Sequence, residues 1–143
     1  SVRFKENDAR PMGRAAAGVR GIKLKKDDEV IGMDIVKNDN TAKHLLLVVT
    51  ENGYGKKTDI NQFKVQRRGG SGIKAAQVTQ KTGRIVGIKI LAVGEEEDLI
   101  VISQQGQVIR TALGSISLLS RATQGVRIMR LGEGDKAASI TCL

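Results

Sequence analysis

The sequence predicts an all-β, propeller-like architecture built from repeats of about 53 residues. Three observations carry this reading. A motif of Arg, three residues, Gly, a β-branched residue and a basic residue occurs three times. Its copies are Arg14 to Gly18-Val19-Arg20, Arg68 to Gly72-Ile73-Lys74 and Arg121 to Gly125-Val126-Arg127, with the glycines 54 and 53 residues apart. Short apolar runs rich in β-branched residues recur at roughly ten-residue intervals between turn residues, the spacing of sandwiches, barrels and propellers. Helical periodicity is nearly absent.

The same period extends beyond the motif, and a regular repeat decides architecture. Thr50-Glu-Asn-Gly53 recurs as Ser103-Gln-Gln-Gly106, and Lys57-Thr58 as Arg110-Thr111, with Arg3 at the equivalent place in the first copy. Leu24, Val78 and Leu131 are also in register. The copies run over residues 1–43, 44–96 and 97–143 of one domain. In chain order, strands are expected at Val30–Val36, Leu45–Thr50, Lys56–Val65, Ile73–Thr79, Ile85–Val93, Leu99–Ser103, Gln107–Leu113 and Val126–Leu131. Ile116–Leu119 fits a short strand or a turn. Turns are expected at Lys37 to Asn40 and at Gly94 to Asp98. Asn52-Gly53 is a tight-hairpin signal with φ > 0 expected at both positions. Gln105-Gly106 is its weaker copy, and Thr82-Gly83 looks like another tip. Four short strands in about 53 residues is the size of one propeller blade. The first copy starts partway through, so the chain reads as an open arc, a piece of a longer disc. Apolar blade faces left uncovered at its ends predict self-association.

At 143 residues the chain can bury a core as one domain. It has no Trp, one Tyr and one Pro against 17 Gly, an odd make-up for an enzyme core. The net charge of +9 is uneven: +3 over residues 1–43, +7 over 44–94 and −1 over 95–143. A basic patch concentrated in one copy points to a polyanion partner. A single cysteine, Cys142, excludes an internal disulfide and a cysteine zinc site, and reads as a small core residue in a strand. No signal peptide or membrane-length apolar run is present, so a cytoplasmic protein with no membrane partner is expected.

The basic residues Arg67, Arg68, Lys74, Lys56, Lys57 and Lys64 are candidates for phosphate contact, against the plainer reading of a solvated face. Arg14, Arg20, Arg110, Arg121 and Arg127 are their counterparts in the other copies. Each phosphate neutralised by Lys or Arg releases counterions, so affinity falls with salt. Equivalent cations on neighbouring blades would form a curved track that holds bent duplex by its backbone. Only Phe4, Phe63 and Tyr54 are aromatic, too few for the stacking platform of a single-strand binder. Gly69, Gly70 and Gly72, with Gly18 and Gly125, lack the phosphate-loop pattern and a following helix, and read as turns at a blade corner. Tyr54 follows a hairpin tip with no acidic cluster beside it, and His44 has no partner pattern for catalysis or metal. Asp27-Asp28-Glu29 and Glu95 to Asp98 read as charged turns before strands. No catalytic or metal residue is assigned.

The chain resembles the C-terminal domain family of DNA gyrase A over nearly its whole length. The residues that carry this are Val2-Arg3-Phe4 with Arg10-Pro-Met-Gly-Arg14, then Gly18-Val-Arg-Gly-Ile-Lys-Leu24, Thr50-Glu-Asn-Gly-Tyr-Gly-Lys-Lys-Thr58 and Thr123-Gln-Gly-Val-Arg127. The resemblance implies a β-pinwheel, in which neighbouring blades exchange strands, and a six-bladed disc of which this chain is part. It implies a basic rim that wraps duplex DNA while the rest of the enzyme introduces negative supercoils. Gln66 to Gly72 resembles the family's box heptad but has Ser71 where the box has a basic residue, so the true box is expected upstream. The implied partners are duplex DNA, the remainder of gyrase A, and gyrase B. ATP and Mg2+ would act elsewhere in the holoenzyme, as would the DNA-cutting tyrosine. The alternatives are the equivalent domain of DNA topoisomerase IV, and a protein-binding propeller scaffold.

Overall fold

The chain packs around β1 (His44–Thr50), all seven residues of which are buried. The structure is a computed structural model that describes residues 1–37, 43–94 and 97–143. β1 pairs on one side with β2 (Tyr54–Asp59) through the turn at Gly53, and on the other with β3 (Ile85–Ala92), both antiparallel. A second sheet is built the same way from β4 (Asp98–Ser103), β5 (Val108–Ala112) and β7 (Ala137–Cys142). β6 (Val126–Arg127) belongs by sequence to the third repeat, yet it pairs with β2. The sheet orders are therefore β3-β1-β2-β6 and β5-β4-β7. Both sheets are antiparallel and open, and the strand exchange is the one the family resemblance implies.

β1 shows why its apolar run, Leu45 to Val49, is continuous instead of alternating. Leu45, Leu47 and Val49 face the second sheet and pack with Leu99, Val101, Leu113, Ile116, Met129 and Ala137. Leu46 and Val48 face the other way, onto Ile60, Phe63 and Ala76, with Val36 of the first repeat beside them. A strand buried on both faces needs apolar residues at every position. β4 has a covered face only toward the first sheet. Ile102 on its other face is 38% exposed, and Val108, its cross-strand partner, is 60% exposed.

Several expected elements take another form. Val30–Val36 is not a strand. By the repeat offset it corresponds to β3, but it has no ladder partner among the described residues. Asp34 instead anchors it by accepting from the Ile90 amide (2.8 Å) and pairing with Lys89 (3.5 Å). With no strand there, Asp27 to Glu29 does not precede one; Asp27 takes a left-handed φ of 66° in a turn. Ile73–Thr79 is not a strand either, because its amides bond to neighbouring repeats: Ile73 N–H to the Ser1 carbonyl and Gln77 N–H to that of Thr123. β2 ends at Asp59, whose carboxylate caps a 3-10 turn over Ile60–Gln62. Val126–Leu131 shrinks to two paired residues, since the Ile128 and Met129 amides both bond to the Gly53 carbonyl. Leu118 makes one parallel bridge to Lys57. At the Asn52-Gly53 tip only Gly53 has positive φ. Thr82-Gly83 is a turn ahead of β3, not a hairpin tip. Cys142 does lie in a strand, half-buried at the edge of the core. The turn at 38–40 and residues Glu95 and Glu96 lie outside the described residues.

Gly125 (φ +88°) sits where the third repeat crosses β2, and a Cβ there would lie 2.8 Å from the Gly55 carbonyl oxygen. Gly72 (φ +74°) occupies the equivalent crossing, against Ser1. Gly106 (φ +83°) has a similar backbone in open space. Gly106→Ala is therefore expected to cost about 1–2 kcal/mol of backbone strain alone. Gly125→Ala adds a backbone collision and should be clearly more costly. Urea unfolding of the two variants checks this, and equal losses would mean that the crossing tolerates a side chain.

Candidate nucleic-acid interface

The recurring motif is the joint between repeats. Arg68 donates from Nη1 to the Arg20 carbonyl (3.1 Å) and from Nε to that of Asp8 (2.8 Å). One period later, Arg121 donates from Nη1 to the Lys74 carbonyl (2.6 Å). Arg20 and Lys74 are the closing basic residues of the preceding motifs, so each motif grips the one before it. Backbone bonds repeat the pattern: Lys23 N–H to the Gly70 carbonyl, and Gln77 N–H to that of Thr123. Gly72 and Gly125 let backbones pass close to one another, and both, like Gly69, take a left-handed φ. Gly70 does not have positive φ. Gly18 does, at +82°, with open space around it.

A second series of staples uses the equivalent positions 3, 57 and 110. Arg3 Nη1 donates to the carbonyls of Ile60 (3.0 Å) and Phe63 (3.1 Å). Lys57 Nζ donates to the carbonyl of Leu113, the counterpart of Ile60. Burial pushes the Lys57 ammonium below its usual range. Arg110, on the open face of the second sheet, is paired with Asp98 in its own repeat. Lys57 is thus half-buried and committed to the protein, which corrects its placement among phosphate contacts.

Lys56 is corrected more firmly. It is 1% exposed. Its Nζ donates to the carbonyls of Ser120 (2.9 Å), Arg121 (2.7 Å) and Thr123 (3.0 Å), and lies 3.2 Å from Thr123 Oγ1. An ammonium has three donors, and here the protein supplies acceptors for all of them. Burial, with the like charge of Arg121, lowers its pKa to about 8. Its role is to tie down the loop that carries the third motif.

The other named cations remain outside. Arg67, Lys64, Lys74, Arg14, Arg20 and Arg127 are exposed, and Arg68 and Arg121 are half-exposed. Residues 60–94 contain seven basic side chains and no acidic one, so this surface has no internal counter-charge along the chain. Among the acids elsewhere, Asp34 pairs with Lys89 of this stretch (3.5 Å), Asp59 with Lys43 (3.0 Å) and Glu51 with Lys136 (3.1 Å). Tyr54 is buried, and its phenol oxygen accepts from Arg127 Nη2 (3.1 Å). His44 opens β1 and is buried. Among the described residues no group of three or more His, Cys, Asp or Glu side chains could hold a metal ion. Among them, too, no helix is long and apolar enough to cross a membrane.

A family model described as the DNA gyrase C-terminal domain, beta-propeller, matches residues 1–37, 44–92 and 97–143. The chain belongs to this family. Among curated relatives, DNA gyrase A of Staphylococcus epidermidis is 45% identical over 139 residues, 97% of this chain and 15% of that protein. DNA gyrase A of Staphylococcus aureus is 43% identical over the same length and shares. The chain thus spans 15% of the length of these relatives. A solved DNA gyrase A C-terminal domain superposes with a TM-score of 0.84 at 28% identity, covering 98% of this chain and 46% of that one. The C-terminal domain of DNA topoisomerase IV gives 0.85 at 20% identity, covering 98% and 42%, which shows a shared fold. The matched part of gyrase is a non-catalytic domain of the topoisomerase.

Lys56→Met and Arg67→Ala should separate joint from surface. Lys56→Met leaves buried carbonyls without a donor and should cost about 1–3 kcal/mol of stability. Arg67→Ala, on an exposed side chain with no partner among the described residues, should stay within about 0.5 kcal/mol. Thermal or urea unfolding reads both, and an undiminished stability in Lys56→Met would mean that the staple does not hold the loop.

Proposed function

We propose that this chain is a duplex-DNA-binding part of a type IIA topoisomerase, acting within gyrase A. Its basic rim holds and wraps bent duplex, and the rest of the enzyme turns that wrap into negative supercoils in an ATP-dependent reaction. The observation that carries this reading is the series of exposed or half-exposed motif cations, Arg20, Arg67, Arg68, Lys74, Arg121 and Arg127, on successive inter-repeat joints beside the acid-free stretch 60–94. Such a surface binds phosphates through charge and geometry, without reading bases. Family membership supports the same reading. The partners proposed are duplex DNA, the remainder of gyrase A, and gyrase B, in the cytoplasm. ATP and Mg2+ belong to those other parts. The equivalent domain of DNA topoisomerase IV shares the fold at lower sequence identity (20% against 28%), and the writhe imposed on DNA by the intact domain separates the two.

Duplex binding is expected to weaken steeply with salt, by about 0.9 in log–log slope per phosphate contact. Arg67→Ala should lower the slope by about one such unit while leaving the fold intact. Weak binding that does not respond to salt would favour the protein-binding scaffold instead.

The open face of the second sheet, with Ile100, Ile102 and Val108 around Arg110, is proposed to be covered by the remainder of gyrase A. The faces of the first sheet show how: each is covered by an adjacent repeat, with Arg3 and Lys57 reaching across the joints. Taken alone, the chain should self-associate through this face. Sedimentation velocity should show association that Ile102→Asp reduces, and a monodisperse monomer at all concentrations would refute it.

A further inference from the structure

One cluster lies beside the β2–β6 joint and carries charge beyond what the joint itself uses. Between the β1–β2 hairpin and β6 lies a cleft of about 430 Å³. Three exposed cations line it: Lys81, Arg127 and Arg130. Tyr54 forms its wall, and two of these cations lie against the ring, Lys81 Nζ at 5.6 Å and the Arg127 guanidinium at 5.5 Å from the centroid. Neither has an acidic partner among the described residues. Arg127 Nη2 donates to the phenol oxygen, and the phenol's own O–H has no acceptor among the described residues. The one acid in the cleft, Asp135, is turned into a backbone turn, where its Oδ1 accepts from the amides of Gln105 (3.1 Å) and Lys136 (2.8 Å). The Arg127 hydrogen bond, with the charges of Arg127 and Lys81, holds the Tyr54 phenol below its ordinary range.

The cleft is thus rich in donors and poor in acceptors. What completes it is an anion with several acceptor oxygens. The neighbouring repeats do not reproduce it: the counterpart of Tyr54 is Gln107, and those of Lys81 are Asp27 and Gly134. Arg127 is also the closing cation of the third motif, but its combination with Tyr54, Lys81 and Arg130 is not repeated in the other copies.

We propose that this cleft binds a phosphate group of the nucleic-acid backbone, with Lys81, Arg127 and Arg130 supplying charge and the Tyr54 hydroxyl donating to a phosphate oxygen. The proposal rests on the duplex-binding reading and fixes one point of the path: the duplex passes the β2–β6 edge. The phosphate chemistry is shared by a DNA phosphodiester and a free inorganic phosphate, and the two can be told apart.

Tyr54 is the only tyrosine and the chain has no tryptophan, so its ring signals report this cleft alone. The test follows the Tyr54 ring resonances of the whole chain by NMR, with a short duplex and with inorganic phosphate in separate titrations. The duplex should shift these resonances, and high salt should reverse the shift. Lys81→Ala and Arg127→Ala should each lower the salt slope of duplex binding by about 0.9. Tyr54→Phe keeps the ring and should weaken binding roughly three- to ten-fold at unchanged slope, the effect of one neutral donor. Salt-dependent duplex binding with unmoved Tyr54 signals and wild-type slopes in both variants would overturn the site while leaving the function standing. No duplex binding at any salt would overturn both. A shift with inorganic phosphate but not with duplex would make this a small-anion site and end the backbone assignment.

Discussion

The edge of β2 is completed by residues from the next repeat, and the rest of the structure depends on that exchange. An unpaired strand edge leaves backbone donors and acceptors without partners, which is costly when buried and hazardous when exposed. Here Gly125 to Arg127 cross from the third repeat to cover it, and Arg127 meets Tyr54 across 73 residues of chain. The crossing brings backbones together at Gly55 and Gly125, and it places Arg121 against Lys74. The glycine and the arginine of the motif therefore answer one need. The glycine permits the close approach, and the arginine caps carbonyls that the approach leaves without helix or ladder partners.

The exchange also explains the unequal burial of the two sheets. The first sheet has a repeat on either side, and its central strand is buried at every residue. The second sheet has one covered face. Each large apolar side chain fully buried contributes about 1.5–3 kcal/mol, so Leu47, Val48 and Val49 on β1 contribute in succession, whereas on β4 only alternate residues do. Cohesion in the arc is greatest in its middle repeat, and that repeat also carries the densest positive charge.

The period, the strand-rich class and the two hairpins of β1–β2 and β4–β5 were legible in the sequence, because spacing, β-branched composition and turn glycines are local signals. The direction of exchange was not. Val30–Val36 has strand composition, but a strand exists only with a ladder partner, and composition carries no record of whether one is in reach. Ile73–Thr79 likewise has suitable residues, and its amides are taken by Ser1 and Thr123. Lys56 was the residue least legible. It sits beside Lys57 in a polar pair, and nothing local tells a buried lysine from an exposed one. Its counterparts Val2 and Ile109 did hold the signal: a position apolar in two copies and Lys in the third is an inward position. Tyr54 with Lys81 and Arg127 escaped notice because the three are far apart in sequence and meet only across the exchanged edge.

The division of labour between arginine and lysine follows from donor count. Lys56 has three donors, and the carbonyls around it leave none for a ligand. Arg121 has five and gives one to Lys74; Arg68 gives two, to Asp8 and Arg20. Both arginines keep donors and a full charge on the outside, since the guanidinium does not deprotonate in proteins. An arginine can therefore close a joint and still face a phosphate, whereas a buried lysine can do only the first. For the proposed duplex contact this matters geometrically. Charges carried on the joints are spaced by the repeat and pointed by the same hydrogen bonds that set the curve of the arc. The path offered to a bent duplex and the integrity of the fold then rest on the same side chains.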